Sequence, residues 1–118
     1  MDNLGQVDST GKTDNFETSL KKGVIEMLIL RVLGSGEHYS REITQQLAKG
    51  GIIISDGTFY PLINRMRKDG LVNYKIVEDS SGVIKKYYSI SPQGQQQLAQ
   101  MQQLWQKFSQ SINLIIND

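Results

Sequence analysis

Cysteine is missing from the 118-residue chain, and histidine occurs once, as His38. Without thiols there is no disulfide framework, no thiol redox chemistry and no zinc–cysteine site. A lone histidine in a glycine-containing loop, with no carboxylate pair at a helix-face spacing around it, gives neither a nucleophilic site nor a metal site. No Walker-type glycine-rich phosphate loop occurs either. The expectation is therefore no enzymatic activity, no metal and no cofactor. Long apolar runs are also lacking: none approaches the roughly 20 residues that span a bilayer, and no basic-then-apolar leader opens the chain. A cytoplasmic location with no membrane partner is expected.

What is present is ordinary in bulk and uneven in distribution. With 38% hydrophobic and 21% charged residues, a chain of this length suits one modest core. The net charge is +1, yet residues 1–18 carry Asp2, Asp8, Asp14 and Glu17 against Lys12. Between Arg65 and Lys86 the balance reverses, with Arg65, Arg67, Lys68, Lys75, Lys85 and Lys86 against Asp69, Glu78 and Asp79. That stretch is a candidate anion-binding surface, although a charge run is also what a solvated face looks like.

Residues 1–17 mix Gly, Asp, Asn, Ser and Thr without an apolar period, which predicts a flexible N-terminal arm. A broadly apolar first helix follows from Ser19 to Leu33, stopped by "GSGEH". "YSREITQQLAKGG" has a short Ile43–Leu47 stripe and predicts a second helix closed by Gly50 and Gly51. The β-branched "IIIS" reads as a small strand leading to Ser55, an N-cap for a third helix with Phe59, Leu62, Ile63 and Met66 on one side and Gly70 at its C′ position. Pro61 inside that helix predicts a kink or a late start. Leu71–Val77 and Ile84–Ile90, joined by "EDSSG", read as a hairpin with Tyr74, Ile76, Tyr88 and Ile90 inward. Ser91 and Pro92 then start a long helix, striped by Leu98, Met101, Trp105, Phe108, Ile112 and Ile115 at heptad spacing.

The fold class expected is mainly α with a small β-hairpin (α+β): a winged helix-turn-helix domain over residues 18–91, followed by a C-terminal dimerisation helix over 92–118. In such a domain the third helix enters the DNA major groove. Its outer line would be Gly57, Tyr60, Pro61, Asn64 and Lys68, flanked by Thr58, Arg65 and Arg67. Asn64 suits adenine, Arg65 suits guanine or phosphate, and Thr58 and Tyr60 suit phosphate near the helix start. Lys85 and Lys86 follow the hairpin turn as candidate wing contacts, though lysines there also protect a sheet edge.

"HYSREI", "GTFYPLINRMRKDGLV" and "KKYYSISPQG" resemble three signature stretches of the PadR family of bacterial transcriptional regulators, a similarity covering about residues 20–110. The resemblance implies a homodimeric protein that binds double-stranded DNA, usually a repressor of its own or an adjacent operon, often released by a small aromatic or cationic compound. The single C-terminal helix is similar to the short, multidrug-sensing subfamily. Tyr39, Ser40 and Arg41 at the start of the second helix, and Ser55 before the third, join the candidate DNA contacts on this basis. Two departures stand out: Val83 and Ile84 follow the turn glycine where family wings commonly have an arginine, and Arg67 stands where an acid is often found.

The heptad stripe exceeds what a small winged domain can cover, so a second copy is the expected partner. Leu20, Val24, Leu98, Met101, Trp105, Phe108, Ile112 and Ile115 are the candidate dimer interface. In the multidrug-sensing relatives a tryptophan at the matching place stacks on flat ligands, which makes Met27, Arg31, Leu98, Met101 and Trp105 a candidate site for a small planar hydrophobic effector; simple seam-filling is the alternative for Trp105. By helical spacing Arg31 and Glu26 are expected to face the same region, where they could disfavour cations. Two other functions compete with regulation. One is a winged-helix adaptor for plasmid or DNA segregation, and the other a winged-helix module that binds only protein, which the basic third helix and hairpin disfavour.

Overall fold

The computed structural model describes residues 3–118, with side chains from Asp14 onward. Four helices and three short strands follow in the order α1 (Asn3–Leu33), β1 (His38–Tyr39), α2 (Ser40–Lys49), α3 (Asp56–Lys68), β2 (Val72–Glu78), β3 (Ile84–Ile90) and α4 (Pro92–Ile116). The strands form one antiparallel sheet in the order β1-β3-β2. His38 pairs with Tyr88 and Tyr39 with Tyr87 on one edge of β3, while Val72–Glu78 runs against Ile90–Ile84 on the other.

The core is the meeting point of the apolar stripes. Ile25, Ile29, Leu30 and Leu33 of α1, Ile43 and Leu47 of α2, and Phe59, Leu62, Ile63 and Met66 of α3 are buried together with Leu71, Val72 and Tyr88. Burying one such aliphatic or aromatic side chain is worth about 1.5–3 kcal/mol. The stripes thus fix which face of each helix turns outward.

The ends of α3 follow from local chemistry. Ser55 Oγ accepts the Thr58 N–H at 3.2 Å, leaving Asp56 to begin the helix beside its positive end. At the other end Gly70 adopts φ +79, and the amides of Gly70 and Leu71 donate to the carbonyls of Arg67 and Met66. That pair of bonds is a Schellman motif, which a residue with a side chain would strain. The helix runs from Asp56 through Pro61, so the late start does not occur. The Gly57 carbonyl that Pro61 leaves without a helical donor belongs to an exposed residue, where water can serve it.

Ser91 joins the winged part to α4. Its hydroxyl donates to the Gly70 carbonyl at 2.6 Å, lies 3.0 Å from the Leu71 carbonyl, and accepts the Gly94 amide at 2.9 Å. Gly94 is buried there; a Cβ would collide with the Leu71 carbonyl oxygen and come within 2.8 Å of Ile90 Cγ1.

Three sequence expectations are corrected. The first helix begins at Asn3, so residues 3–17 of the expected arm continue α1, and residues 1–2 lie outside the described residues. Helix propagation costs far less than nucleation, so a segment without an apolar stripe can extend one nucleated by a packed neighbour. "IIIS" forms no strand: Ile52 and Ile54 pack against the core and Ile53 is exposed, while His38–Tyr39 occupies the edge of β3. The sheet accordingly has three strands. The inner face is not as expected either, because Val72 and Tyr88 are buried but Tyr74 and Ile76 are 37% and 63% exposed. β2 extends past the helices that cover its first residue.

Candidate nucleic-acid interface

With the core side of α3 fixed by Phe59, Leu62, Ile63 and Met66, a rotation of about 100° per residue divides the remaining side chains into three lines. Gly57, Pro61, Asn64 and Lys68 lie opposite the core, Asp56, Tyr60 and Arg67 fall on one flank, and Thr58 and Arg65 fall on the other. All nine are exposed.

The first flank faces the start of α2 and the hairpin, and together they enclose a concave region of about 520 Å³. Tyr39, Ser40, Arg41 and Thr44 line it from β1 and α2, Asp56, Tyr60 and Asn64 from α3, and Ile84, Lys85, Lys86 and Tyr88 from β3. The Ser40 and Tyr60 hydroxyls lie 2.9 Å apart. One of their two protons is consumed in this bond and the other stays available to an acceptor such as a phosphate oxygen. Glu42 Oε1 accepts the Tyr39 amide at 3.2 Å and lies 3.4 Å from His38 Nδ1, which fixes the entry to α2.

Lys85 and Lys86 are separated by the two-residue period of the strand. Lys85 Nζ sits 4.0 Å from the centre of the Tyr39 ring, and Lys86 Nζ 4.6 Å from that of Tyr74, which Arg67 also approaches at 5.5 Å. A cation over a ring face keeps its charge but loses freedom. The wing therefore presents two oriented ammonium groups.

The hairpin turn is organised by Asp79. Its Oδ1 accepts the Ser81 hydroxyl at 2.6 Å and the amides of Ser81 and Val83 at 2.9 and 3.0 Å. The Ser81 hydroxyl above all, then the Val83 amide, hold this carboxyl below its ordinary value. Tyr88 is shifted the other way: burial raises its phenol.

Of the candidate DNA contacts, Tyr39, Ser40, Arg41, Tyr60, Asn64, Lys85 and Lys86 converge on this region, whereas Ser55, Gly57, Thr58, Arg65 and Lys68 lie outside it. Ser55 and Thr58 instead border a smaller groove of about 180 Å³ with Lys21 and Lys22 of α1. Arg65 donates to Glu26 Oε2 across a 3.0 Å ion pair. Sequence reasoning missed Thr44, Asp56, Ile84 and Tyr88 as lining residues. Asp56 could have been found, since it stands four residues before Tyr60 and so shares its side of the helix.

A second, apolar groove of about 490 Å³ runs between α1 and α4, lined by Ser19, Leu20, Gly23, Val24, Met27, Met101, Leu104, Trp105 and Phe108. Met27, Met101 and Trp105 of the candidate effector set meet here, together with Leu20, Val24 and Phe108 of the candidate dimer set. Leu98 packs on the core instead, and Arg31 is exposed outside the groove. Glu26 faces Arg65 rather than this groove, so neither charge acts on it at contact range. Trp105 is 46% exposed, Phe108 64% and Ile115 77%, and Ile112 is half-buried. Leu104 escaped the heptad reading because it lies beside the a and d positions. Among the described residues no group of His, Asp and Glu is placed to hold a metal, and no helix is long and apolar enough to cross a membrane.

Helices α2 and α3, with the hairpin beside them, define a winged helix-turn-helix protein. The chain belongs to the PadR-like family of transcriptional regulators, whose family model matches residues 29–100. It is 34% identical to a PadR-like transcriptional regulator from Bacillus cereus, over 85% of this chain and 98% of that one, with a TM-score of 0.78. A transcriptional regulator of Mycobacterium tuberculosis is 30% identical over 81 residues, 68% of this chain and 74% of that one. A PadR family regulator from Eggerthella lenta, 24% identical over 93% of this chain and 96% of that one, has the same fold at a TM-score of 0.84. The chain is thus a DNA-binding regulator of transcription and not an enzyme.

Proposed function

We propose that the chain acts in the cytoplasm as a sequence-specific, homodimeric repressor of its own or an adjacent operon. The observation that carries this reading is the convergence of the α2 start, the outer side of α3 and the two ring-held wing lysines on one concave surface. Asn64 has the donor and acceptor pair that reads adenine, and Ser40, Tyr60, Lys85 and Lys86 have the chemistry of phosphate ligands. Ser55, Thr58 and Arg65 would meet the opposite phosphate wall, with Gly57 and Lys68 along the line facing the bases.

Dimerisation through α4 and the adjoining part of α1 is supported by exposed Leu104, Trp105, Phe108, Leu114, Ile115 and Ile116. A planar hydrophobic effector would stack on Trp105 between Met27 and Met101. The groove falls within the roughly 300–1,000 Å³ usual for small-molecule sites.

Fluorescence anisotropy tests the reading, using duplexes from upstream of the chain's own gene and of random sequence at two salt concentrations. A preference of about a hundredfold or more for the upstream duplex, near 2.7 kcal/mol, is expected. Equal, strongly salt-dependent binding to both would refute local repression and turn attention to tandem sites, as a segregation adaptor would use. Quenching of Trp105 by planar ligands, with loss of DNA binding, checks the effector.

A further inference from the structure

Among the described residues, the candidate DNA contact Arg65 has its charged side chain paired with an acid. Its Nη2 lies 3.0 Å from Glu26 Oε2, joining α3 to α1 across 39 positions of sequence. Arg65 is 61% exposed and Glu26 29%, so the guanidinium remains reachable from the DNA side while the carboxylate stands behind it. Arg65 shares its flank of α3 with Thr58, away from the concave region that collects Tyr60 and Asn64.

A guanidinium fork fits a carboxylate and a phosphate in the same way. We propose that Glu26 is a positioning residue that competes with the DNA backbone for Arg65, so that the free protein keeps this cation neutralised and DNA must draw it away. The proposal rests on the DNA-binding reading of α3. It makes Glu26 a brake on binding to any duplex, since phosphates are present whatever the sequence. It also places the brake on α1 one residue before Met27, which lines the apolar groove. Helical geometry sets Glu26 about a third of a turn from the middle of the line that Gly23, Met27 and Val24 form. A small rotation of α1 at that groove therefore changes the distance from Glu26 to Arg65.

The test is anisotropy of the full chain on a random-sequence duplex over a salt series, for the wild type, Glu26→Gln, Glu26→Asp, Arg65→Ala and Glu26→Gln with Arg65→Ala. Glu26→Gln is expected to bind about two- to fivefold more tightly, the scale of one exposed ion pair. Its slope of log affinity against log salt should steepen by about one. Glu26→Asp, which keeps the charge but is one methylene short, should move the same way by less. In the Arg65→Ala background the Glu26→Gln gain should vanish. A gain that persists without Arg65, or a Glu26→Asp variant that binds as the wild type does, would overturn the proposal and leave the DNA reading standing. A wild-type chain that binds no duplex at low salt would overturn both.

Discussion

The basic groove beside α3 and the apolar groove along α4 are close in size and opposite in construction. In the one between α2, α3 and the hairpin, several polar groups are held by partners within the chain: Ser40 with Tyr60, Thr44 with the Arg41 carbonyl, Lys85 with the Tyr39 ring, Lys86 with that of Tyr74. The one between α1 and α4 is lined by Leu20, Val24, Met27, Met101, Leu104, Trp105 and Phe108, of which Trp105 alone carries a hydrogen-bond donor on its side chain. A surface already set in place by internal hydrogen bonds and ring contacts is prepared for a polar ligand, because little ordering remains to be done on binding. An apolar surface left open gains only when something covers it. The contrast teaches that one face is held in place by the chain's own polar and ring contacts and the other is left as open apolar surface.

The contrast breaks most completely if charge is put on the uncovered face. Phe108→Glu with Ile115→Glu should abolish dimers at micromolar concentration, read by sedimentation equilibrium, with the fold of residues 25–91 retained by circular dichroism. Next comes the joint between the two regions. Gly94→Ala forces a methyl into the Leu71 carbonyl and Ile90, and should lower stability by about 1–3 kcal/mol in urea unfolding, the cost of overpacking a filled site. On the polar face, Asn64→Ala should cost about 1–3 kcal/mol of discrimination between specific and random duplexes, and an equal loss on both would remove Asn64 as a base contact.

Smaller effects sharpen the comparison. Lys85→Ala and Lys86→Ala together should flatten the salt slope by about two, with each single variant contributing separately because the two lie over different rings. The smallest concerns the wing turn. Asp79 has a folded value below its unfolded one of about 3.9. Its contribution is therefore present above that pH and lost as pH falls through the lower folded value. The Ser81 and Val83 amide resonances should move together only in that acidic range, and a transition near pH 5 would contradict the hydrogen bonds to Asp79.

How much of this could be read from the sequence depended on whether the deciding interaction was local. The end of α3 at Gly70, its start after Ser55 and the beginning of α4 at Ser91 and Pro92 were legible, because each is set by neighbours a few residues away. So was the hairpin. The fate of "IIIS" was not, since whether an extended segment becomes a strand depends on which stretch lies along the free edge of β3, and His38–Tyr39 takes that edge. The start of α1 was missed because its cause lies in packing further along the helix. Lys85 and Lys86 look like one basic spot in sequence, although strand alternation alone would have parted them. The Arg65–Glu26 pair had no sequence signal: its spacing belongs to the packing of α3 on α1. The PadR-like signature stretches placed the family, but not which flank of α3 each residue occupies.

Ser91 ends β3 and caps α4 in the same residue, gripping the Gly70–Leu71 corner as it does so. No slack peptide lies between the part that would touch DNA and the part that would touch a second copy. In any pair of chains joined along α4, the gap between the two recognition helices is then set as in a caliper, by the angle at a single riveted corner. One turn of B-DNA, about 34–36 Å, is the unit that gap must match. The choice of binding site would thus be a matter of length as well as of letters.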